Sequence, residues 1–155
     1  MTAVATVTLR QALSEEMNWI NDRYDEVNFK RSHYDQEVIA IAEVNGERAE
    51  LGRLVTMDDR TLKLGGMYVL GNYRGHGIAG KIIEFLLQRV RSGQQVFCIP
   101  FISMQSLYYR YGFVPVSKQD NIPLPILEKH NWCNQTYEQK TLLLILDHSS
   151  NTSGR

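Results

Sequence analysis

The sequence of 155 residues has few cysteines and no excess of charge of either sign. Its two cysteines, Cys98 and Cys133, are too few for a disulfide framework, so reduced thiols are expected. The formal net charge is zero, which argues against a polybasic surface for nucleic acid or anionic lipid. No apolar run approaches a membrane span, and residues 1–8 lack the pattern of a secretion signal. These absences predict a cytoplasmic protein that binds neither nucleic acid nor a membrane.

Metal-ligating residues are also sparse. The four histidines are scattered, and none has a cysteine or a second histidine at ligand spacing. No metal site is therefore expected. No aspartate or glutamate lies between Glu84 and Asp120.

The composition, 43% apolar and 22% charged, is that of an ordinary globular chain. Its length predicts a single domain over residues 1–148, with room for a sizeable core. Residues 149–155 are small and polar, which predicts a disordered tail.

The order of apolar segments predicts a mixed α/β domain. After a short strand at 6–10 and a helix capped by Ser14, three strands follow at 37–44, 48–57 and 62–70. The pair Asn45-Gly46 is a strong hairpin signal, so these strands should form an antiparallel meander. A long helix from 78 to 90, a strand at 95–100, short helices, a strand at 113–116 and a buried strand at 141–147 complete the pattern. The fold class is therefore α/β (α+β), with a mixed, mostly antiparallel central sheet flanked by helices.

The stretch from 64 to 90 organises the chain. It reads as a strand, a turn with glycines at 71, 75 and 77, and a helix with an apolar stripe. Backbone N–H groups at such a turn, together with the positive end of the helix dipole, form an anion site. Arg74 adds a guanidinium suited to phosphate. The stretch therefore predicts binding of a phosphorylated ligand.

The residues from Gly75 to Gly80 match G-x-G-x-x-G, which offers a dinucleotide-binding interpretation. That motif requires a ribose-binding acid about 20 residues further on. The stretch after Glu84 contains no acid at that distance, so the ribose-binding residue is missing. The antiparallel meander before the turn also differs from the βαβ unit with which a dinucleotide-binding domain begins. A Walker A loop is excluded because no Gly-Lys-Ser/Thr follows the turn.

Read as Arg74-x-x-Gly77-x-Ala79, the turn resembles the pyrophosphate signature of the GNAT N-acetyltransferase superfamily. The segment from Leu107 to Phe113 (LYYRYGF) resembles the family's second hallmark, leucine-tyrosine followed after three residues by glycine-phenylalanine. The order of elements matches over roughly residues 6 to 147. The resemblance implies an acyl-CoA N-acyltransferase fold and transfer of an acetyl group from acetyl-CoA to a primary amine by direct attack in a ternary complex.

The resemblance also implies the cofactor-binding residues. The backbone of the strand before the turn should line pantetheine and thioester, with the Val69 N–H polarising the acetyl carbonyl, and the turn and helix start should cradle the pyrophosphate. The strand residues are Met67, Tyr68 and Val69, and those of the turn and helix are Arg74, Gly75, His76, Gly77, Ile78, Ala79 and Gly80.

Tyr108 occupies the family's general-acid position. A phenol has a pKa of about 10 in water, close enough to that of a thiol to protonate the departing sulfur. The alternative is that Tyr108 is a core aromatic, since Tyr109 and Tyr111 flank it. Only Tyr108 has the hallmark's distance to Gly112.

The general base is not identified. Many relatives carry a carboxylate in the strand before the turn, where this chain has Gly66, with Lys63 further back. Four acids from the meander side, or a water chain, are alternatives, and no base is assigned. These acids are Asp25, Glu26, Asp35 and Glu37.

The acceptor also stays open between a small-molecule and a peptide amine. Acids at 22, 25 and 26 form either a solvated helix end or a rim that attracts a cationic acceptor. Cys98 is read as a small apolar residue rather than a thiol intermediate. A homodimer is compatible with the sequence. The missing carboxylate motivates a second hypothesis, a CoA-binding module that has lost catalysis.

Overall fold

The computed structural model describes residues 6–75 and 77–148. They divide into two compact units. The first comprises the chain up to Thr56 together with Leu64–Ser92, and the second comprises Met57–Lys63 together with the chain from Gly93 onward.

The first unit carries four strands in the order β1-β2-β3-β4. The strands are β1 (Val7–Gln11), β2 (Glu37–Val44), β3 (Glu47–Asp58) and β4 (Thr61–Val69), and the first three residues of β4 belong to the second unit. Antiparallel pairing joins β1 to β2 and β2 to β3. The β2–β3 turn is Asn45-Gly46, and both residues have positive φ, 52° and 85°, as the hairpin signal predicts.

Two helices pack in this unit, α1 (Met17–Glu26) and α2 (Ile78–Leu87). Ile20 and Tyr24 of α1 are fully buried in a cluster with Ile39, Ile41 and Leu51 of the sheet. The α2 helix packs on β1 and β2 through an apolar stripe of the spacing the sequence predicts. Its close approach depends on Gly52 of β3, since a Cβ there would lie 2.7 Å from the Ile82 side chain.

The second unit holds β5 (Gln95–Cys98), α3 (Gln105–Arg110), β6 (Phe113–Pro115), α4 (Leu124–Thr136) and β7 (Leu144–Leu146). The β7 strand pairs antiparallel with both β5 and β6, and Ile145 lies opposite Phe97 on one side and Val114 on the other. Because neighbours flank it on both sides, β7 can be continuously apolar. The core cluster of the second unit consists of Phe97, Ile126, Leu143 and Ile145.

The predicted fold class is confirmed, since mostly antiparallel strands are flanked by helices. Some boundaries were wrong. The α2 helix ends at Leu87 rather than 90, β7 is shorter than 141–147, and α4 is longer than predicted.

Ser14 does not cap the first helix. The residue before the opening 3₁₀ turn (Ser14–Glu16) is Leu13, whose N–H donates to Glu16 Oε1 at 2.9 Å. The Glu16 carboxylate therefore accepts from the N–H of the residue before the turn, and no side chain caps the turn itself.

Candidate functional site

The turn before α2 has the backbone of an anion site. Gly75 and Gly77 have φ of +81° and +71°, and Gly77 is the N-cap residue directly before α2. A Cβ at either glycine would meet no atom within 4 Å, so backbone conformation rather than crowding favours glycine. Arg74 is exposed beside them. His76, also predicted to bind the cofactor, lies outside the described residues.

The start of α2 supplies the donors of this site. The first N–H groups of a helix lack intrahelical acceptors, and α2 begins at Ile78 directly after the turn. Ile78 and Gly80 are buried, and Ala79 is half-buried. The described residues of the turn therefore fit a pyrophosphate through their backbone N–H groups, the helix dipole of α2 and the exposed guanidinium of Arg74. None of these residues is an acid that would repel the phosphates.

Strand β4 changes conformation just before the segment predicted to hold the thioester. Gly66 has a φ of +62° inside the strand, a backbone conformation that favours glycine and interrupts a regular strand. Met67, Tyr68 and Val69 follow it and are half-buried.

The reason for glycine at 66 is crowding as well as conformation. A Cβ there would lie 2.6 Å from Arg53 Nε and 2.8 Å from the Tyr24 hydroxyl. That hydroxyl donates a hydrogen bond of 2.7 Å to the Gly66 carbonyl oxygen. Arg53 therefore fills the volume beside the position at which relatives carry a carboxylate.

Arg53 belongs to a buried polar cluster. Its Nη1 donates to Ser32 Oγ at 2.5 Å and lies 3.9 Å from Glu37 Oε1. Its guanidinium carbon lies 4.2 Å from the centroid of the Tyr24 ring. Burial raises the pKa of the Tyr24 phenol well above its usual value, so the hydroxyl stays a donor.

The acids near the end of α1 are largely paired. Glu26 Oε1 accepts a 2.5 Å hydrogen bond from the Tyr68 hydroxyl, and its other oxygen lies 2.8 Å from Arg23 Nε. Asp25 lies 3.2 Å from Arg31 Nη1. The hydrogen bond to Glu26 raises the pKa of Tyr68. These pairs favour a solvated, charge-balanced helix end over an acidic rim.

Several aromatic residues near the end of α1 belong to the core. Tyr24 is buried in the first unit's core cluster, and Trp19, Phe29 and Tyr68 pack against it. Arg48 stacks on Trp19, with its guanidinium carbon 4.3 Å from the ring centroid.

Tyr108 lies on α3 of the second unit and is 2% exposed. Its ring meets that of Phe113 edge to face, with centroids 5.7 Å apart. The neighbouring Tyr109 is 40% exposed, and its hydroxyl accepts a hydrogen bond from Gln105. The two tyrosines are therefore a matched buried and exposed pair on one helix.

The described residues include no group of three metal-ligating side chains. Within the same part of the chain, no helix has the length and apolarity to cross a bilayer. Cys98 and Cys133 are buried free thiols, and burial raises the pKa of Cys98 well above its usual value. A neutral, buried thiol agrees with the structural interpretation of Cys98.

Sequence reasoning missed Tyr24, Ser32 and Arg53 as a group, and Glu50 of β3. The available signal was polarity inside an apolar strand, because Glu50 and Arg53 interrupt an otherwise apolar run on β3. Their partners come from distant segments, which no local pattern reveals.

A family model described as "Acetyltransferase (GNAT) domain" matches residues 35–115. The chain therefore belongs to the GNAT acetyltransferase family. No curated protein sequence matches it.

Solved structures share the fold. A GNAT acetyltransferase from Elizabethkingia anophelis with acetyl-CoA bound is 14% identical with a TM-score of 0.62, over 91% of this chain and 97% of that one. A spermidine/spermine N-acetyltransferase from Vibrio cholerae is 14% identical with a TM-score of 0.66, over 96% and 97%.

N-acetylglutamate synthase from Neisseria gonorrhoeae, complexed with coenzyme A and L-arginine, is 17% identical with a TM-score of 0.67. That match covers 90% of this chain but 32% of the synthase chain. At these identities the likeness shows the fold alone.

Proposed function

We propose that the protein is a cytoplasmic, acetyl-CoA-dependent N-acetyltransferase that acetylates a primary amine by direct attack in a ternary complex. The observation that carries the proposal is the turn before α2 in a chain of the GNAT family. Two glycines with positive φ, the exposed Arg74 and the start of a helix support pyrophosphate binding at this turn.

In this proposal the turn holds the cosubstrate. Backbone N–H groups from Gly75 to Gly80, His76 included, would contact the pyrophosphate, and Arg74 would pair with its charge. The backbone of Met67, Tyr68 and Val69 would line the pantetheine and thioester. Acetyl-CoA supplies the activated acetyl group, and the Val69 N–H would donate to its carbonyl oxygen as negative charge develops there.

Tyr108 is the proposed general acid. When the amine nitrogen bonds to the acetyl carbon and the carbon–sulfur bond breaks, the thiolate needs a proton. The phenol of Tyr108 would donate it, and one of the protons that the amine releases would return to the phenolate. The amine must lose one proton before attack and a second as the amide forms.

Thiol release tests the proposal. The intact protein is mixed with acetyl-CoA and a panel of amines, and free coenzyme A is measured with a thiol reagent while the acetylated product is identified by mass. Amine-dependent release supports the proposal, and cofactor binding without release for any amine contradicts it. Arg74→Gln should raise the KM for acetyl-CoA at least tenfold, whereas Arg60→Gln, in a turn of the second unit, should leave it unchanged.

A second candidate is a CoA-binding module without catalysis. The observation that favours it is the guanidinium of Arg53 beside Gly66, where relatives carry a carboxylate. This candidate predicts tight binding of coenzyme A and no more than slow hydrolysis of the thioester with every amine. The same thiol assay separates the two functions.

A further inference from the structure

Glu26, at the end of α1, is an acid that a bound molecule can reach. Its side chain is 47% exposed, whereas that of Glu37 is 5% exposed and Glu50 as a whole is 2% exposed. A general base must come within hydrogen-bonding reach of the proton that it removes, directly or through one bridging group. Buried acids lack that access, so the exposed carboxylate of Glu26 is the better candidate for a base.

A hydrogen bond joins Glu26 to strand β4. The Tyr68 hydroxyl donates to Glu26 Oε1 at 2.5 Å. Tyr68 is half-buried and lies in the strand segment proposed to line the thioester, directly before Val69. The neighbouring acid, Asp25, is instead paired with Arg31 at 3.2 Å. Of these two exposed acids, Glu26 is therefore the one that contacts the strand.

Two partners fix the Glu26 carboxylate. Besides the phenol on Oε1, Arg23 Nε lies 2.8 Å from Oε2. The guanidinium carbon of Arg23 lies in turn 5.4 Å from the centroid of the Trp19 ring. These contacts hold Oε1 toward the Tyr68 hydroxyl, which is the arrangement that a proton transfer between the two groups requires.

The Tyr68 hydroxyl also lies within electrostatic reach of the turn before α2. The hydrogen bond to Glu26 and burial raise the pKa of Tyr68, while the positive charges of Arg23 and Arg74 oppose that shift. Arg74 belongs to the turn proposed to hold the pyrophosphate. Because the phenol donates its hydrogen to Glu26, its oxygen keeps lone pairs that can accept an N–H of a ligand.

We infer that Tyr68 and Glu26 form a proton relay for the acceptor amine, in which Tyr68 contacts the amine and Glu26 receives the proton through it. This inference rests on the proposed function and supplies the base that the sequence leaves unassigned. The Val69 N–H is proposed to bind the acetyl carbonyl oxygen, and Val69 directly follows Tyr68. An amine that contacts the Tyr68 side chain therefore lies beside the strand segment proposed to hold the thioester.

The relay moves one of the two protons that the amine gives up. An ammonium N–H bond breaks and its proton moves to the Tyr68 oxygen, while the proton of that phenol moves to Glu26 Oε1. The nitrogen keeps the electron pair with which it attacks the acetyl carbon. Glu26 is exposed, so its carboxyl group then releases the proton to solvent. The second proton, lost as the amide forms, replaces the one that Tyr108 gives to the sulfur.

Conservative variants test the relay with the best amine of the thiol-release panel. Glu26→Gln and Tyr68→Phe should each lower kcat/KM for that amine at least tenfold at pH 7. The double variant should lose no more than the worse single variant, because the two groups act as a unit. Calorimetry should show an affinity for coenzyme A within twofold of the parent. Glu15→Gln and Tyr34→Phe, on exposed residues, are the matched controls and should leave kcat/KM unchanged.

A pH series separates a relay from a structural role. A primary ammonium group has a pKa of about 10, so the neutral amine becomes more abundant as pH rises and the need for a base falls. The deficit of Glu26→Gln relative to the parent should therefore be largest near pH 7 and shrink at least fivefold by pH 9. Damage to packing would leave the deficit constant over that range.

The outcomes distinguish this inference from the proposed function. If the parent acetylates an amine and Glu26→Gln equals it at pH 7, or its deficit stays constant with pH, the relay is overturned and the transferase proposal stands. If the parent binds coenzyme A but acetylates no amine, the proposed function fails and the relay fails with it.

Discussion

The phenol of Tyr24 donates a hydrogen bond of 2.7 Å to the carbonyl oxygen of Gly66. Tyr24 lies on α1 and Gly66 lies at the break in β4, so this bond ties the helix to the one residue of the strand with positive φ. The Tyr24 side chain is fully buried, and the hydrogen bond is therefore shielded from water.

Tyr24→Phe should destabilise the fold by about 1–3 kcal/mol, because the Gly66 carbonyl loses its donor in a buried site. If the bond also orients the following N–H groups, the infrared carbonyl stretch of bound acetyl-CoA should shift toward its value in solution. Chemical denaturation and difference infrared spectroscopy measure the two effects. Tyr34→Phe, on a tyrosine that is 39% exposed, should change neither, and an unaltered denaturation midpoint for Tyr24→Phe would contradict the prediction.

Gly66→Ala and Gly65→Ala should differ sharply. At 66 an alanine needs positive φ and places its Cβ 2.6 Å from Arg53 Nε, whereas at 65 no atom lies within 4 Å. The expected loss of unfolding free energy is at least about 2 kcal/mol for Gly66→Ala, from strain and displacement of Arg53. Gly65→Ala should cost less than half of that, and similar losses for the two variants would show that the break in β4 is not specified at 66.

Glu50 should make the fold less stable as pH rises. It is 2% exposed with Oε2 unsatisfied, and burial raises its pKa to about 7. The folded state holds the proton more tightly than the unfolded state. The cost of burying the ionised carboxylate is therefore absent below pH of about 4.5 and complete above about 7. The full effect is about 3 kcal/mol.

Glu50→Gln should remove this dependence, so that its unfolding free energy falls less than that of the parent between pH 5 and pH 8. Urea denaturation at each pH measures the slope. Glu47→Gln, an exposed change on the same strand, is the control and should keep the parental slope. A parental slope for Glu50→Gln as well would assign the dependence to another group.

Glu16 should make the fold more stable as pH rises. Its carboxylate accepts from Arg10, Arg48 and the Leu13 N–H, and the hydrogen bonds from Arg10 lead in lowering its pKa to about 2. The stabilisation is therefore complete above pH of about 4.5 and is lost as pH falls toward 2.

Glu16→Gln should cost about 2 kcal/mol at pH 7, less than the shift alone implies because solvent screens the partly exposed arginines. It should cost little at pH 2. The exposed Glu15→Gln is the control, and acid denaturation followed by circular dichroism gives the midpoints. Equal acid midpoints for Glu16→Gln and the parent would refute the role of this ion-pair cluster.

Tyr108→Phe should lower turnover at least tenfold while the affinity for coenzyme A changes less than twofold, since the ring and its contact with Phe113 are kept. Tyr109→Phe, on the exposed neighbour, should leave turnover unchanged. Steady-state rates and calorimetry with coenzyme A provide the measurements. Normal turnover in Tyr108→Phe would remove it from the mechanism and leave it as a core aromatic.

Features encoded by neighbouring residues were predictable. The Asn45-Gly46 hairpin, the span of β2 and the start of α2 follow from turn chemistry and apolar spacing, which act over a few residues. The start of the first helix was not predictable, because Glu16 accepts the Leu13 N–H and is held there by ion pairs with Arg10 and with Arg48 on β3. Its geometry depends on strand pairing rather than on the local sequence.

The same division applies to the stretch from strand β4 to helix α2. The glycine turn and the helix start could be predicted from consecutive residues, because backbone conformation and local dipoles depend on neighbours in the chain, and the two motifs indicated the family. The glycine at 66, where the resemblance implies a carboxylate, is explained by the tertiary structure. Tyr24 of α1 and Arg53 of β3 converge on that position, and packing over such separations has no signature in the chain.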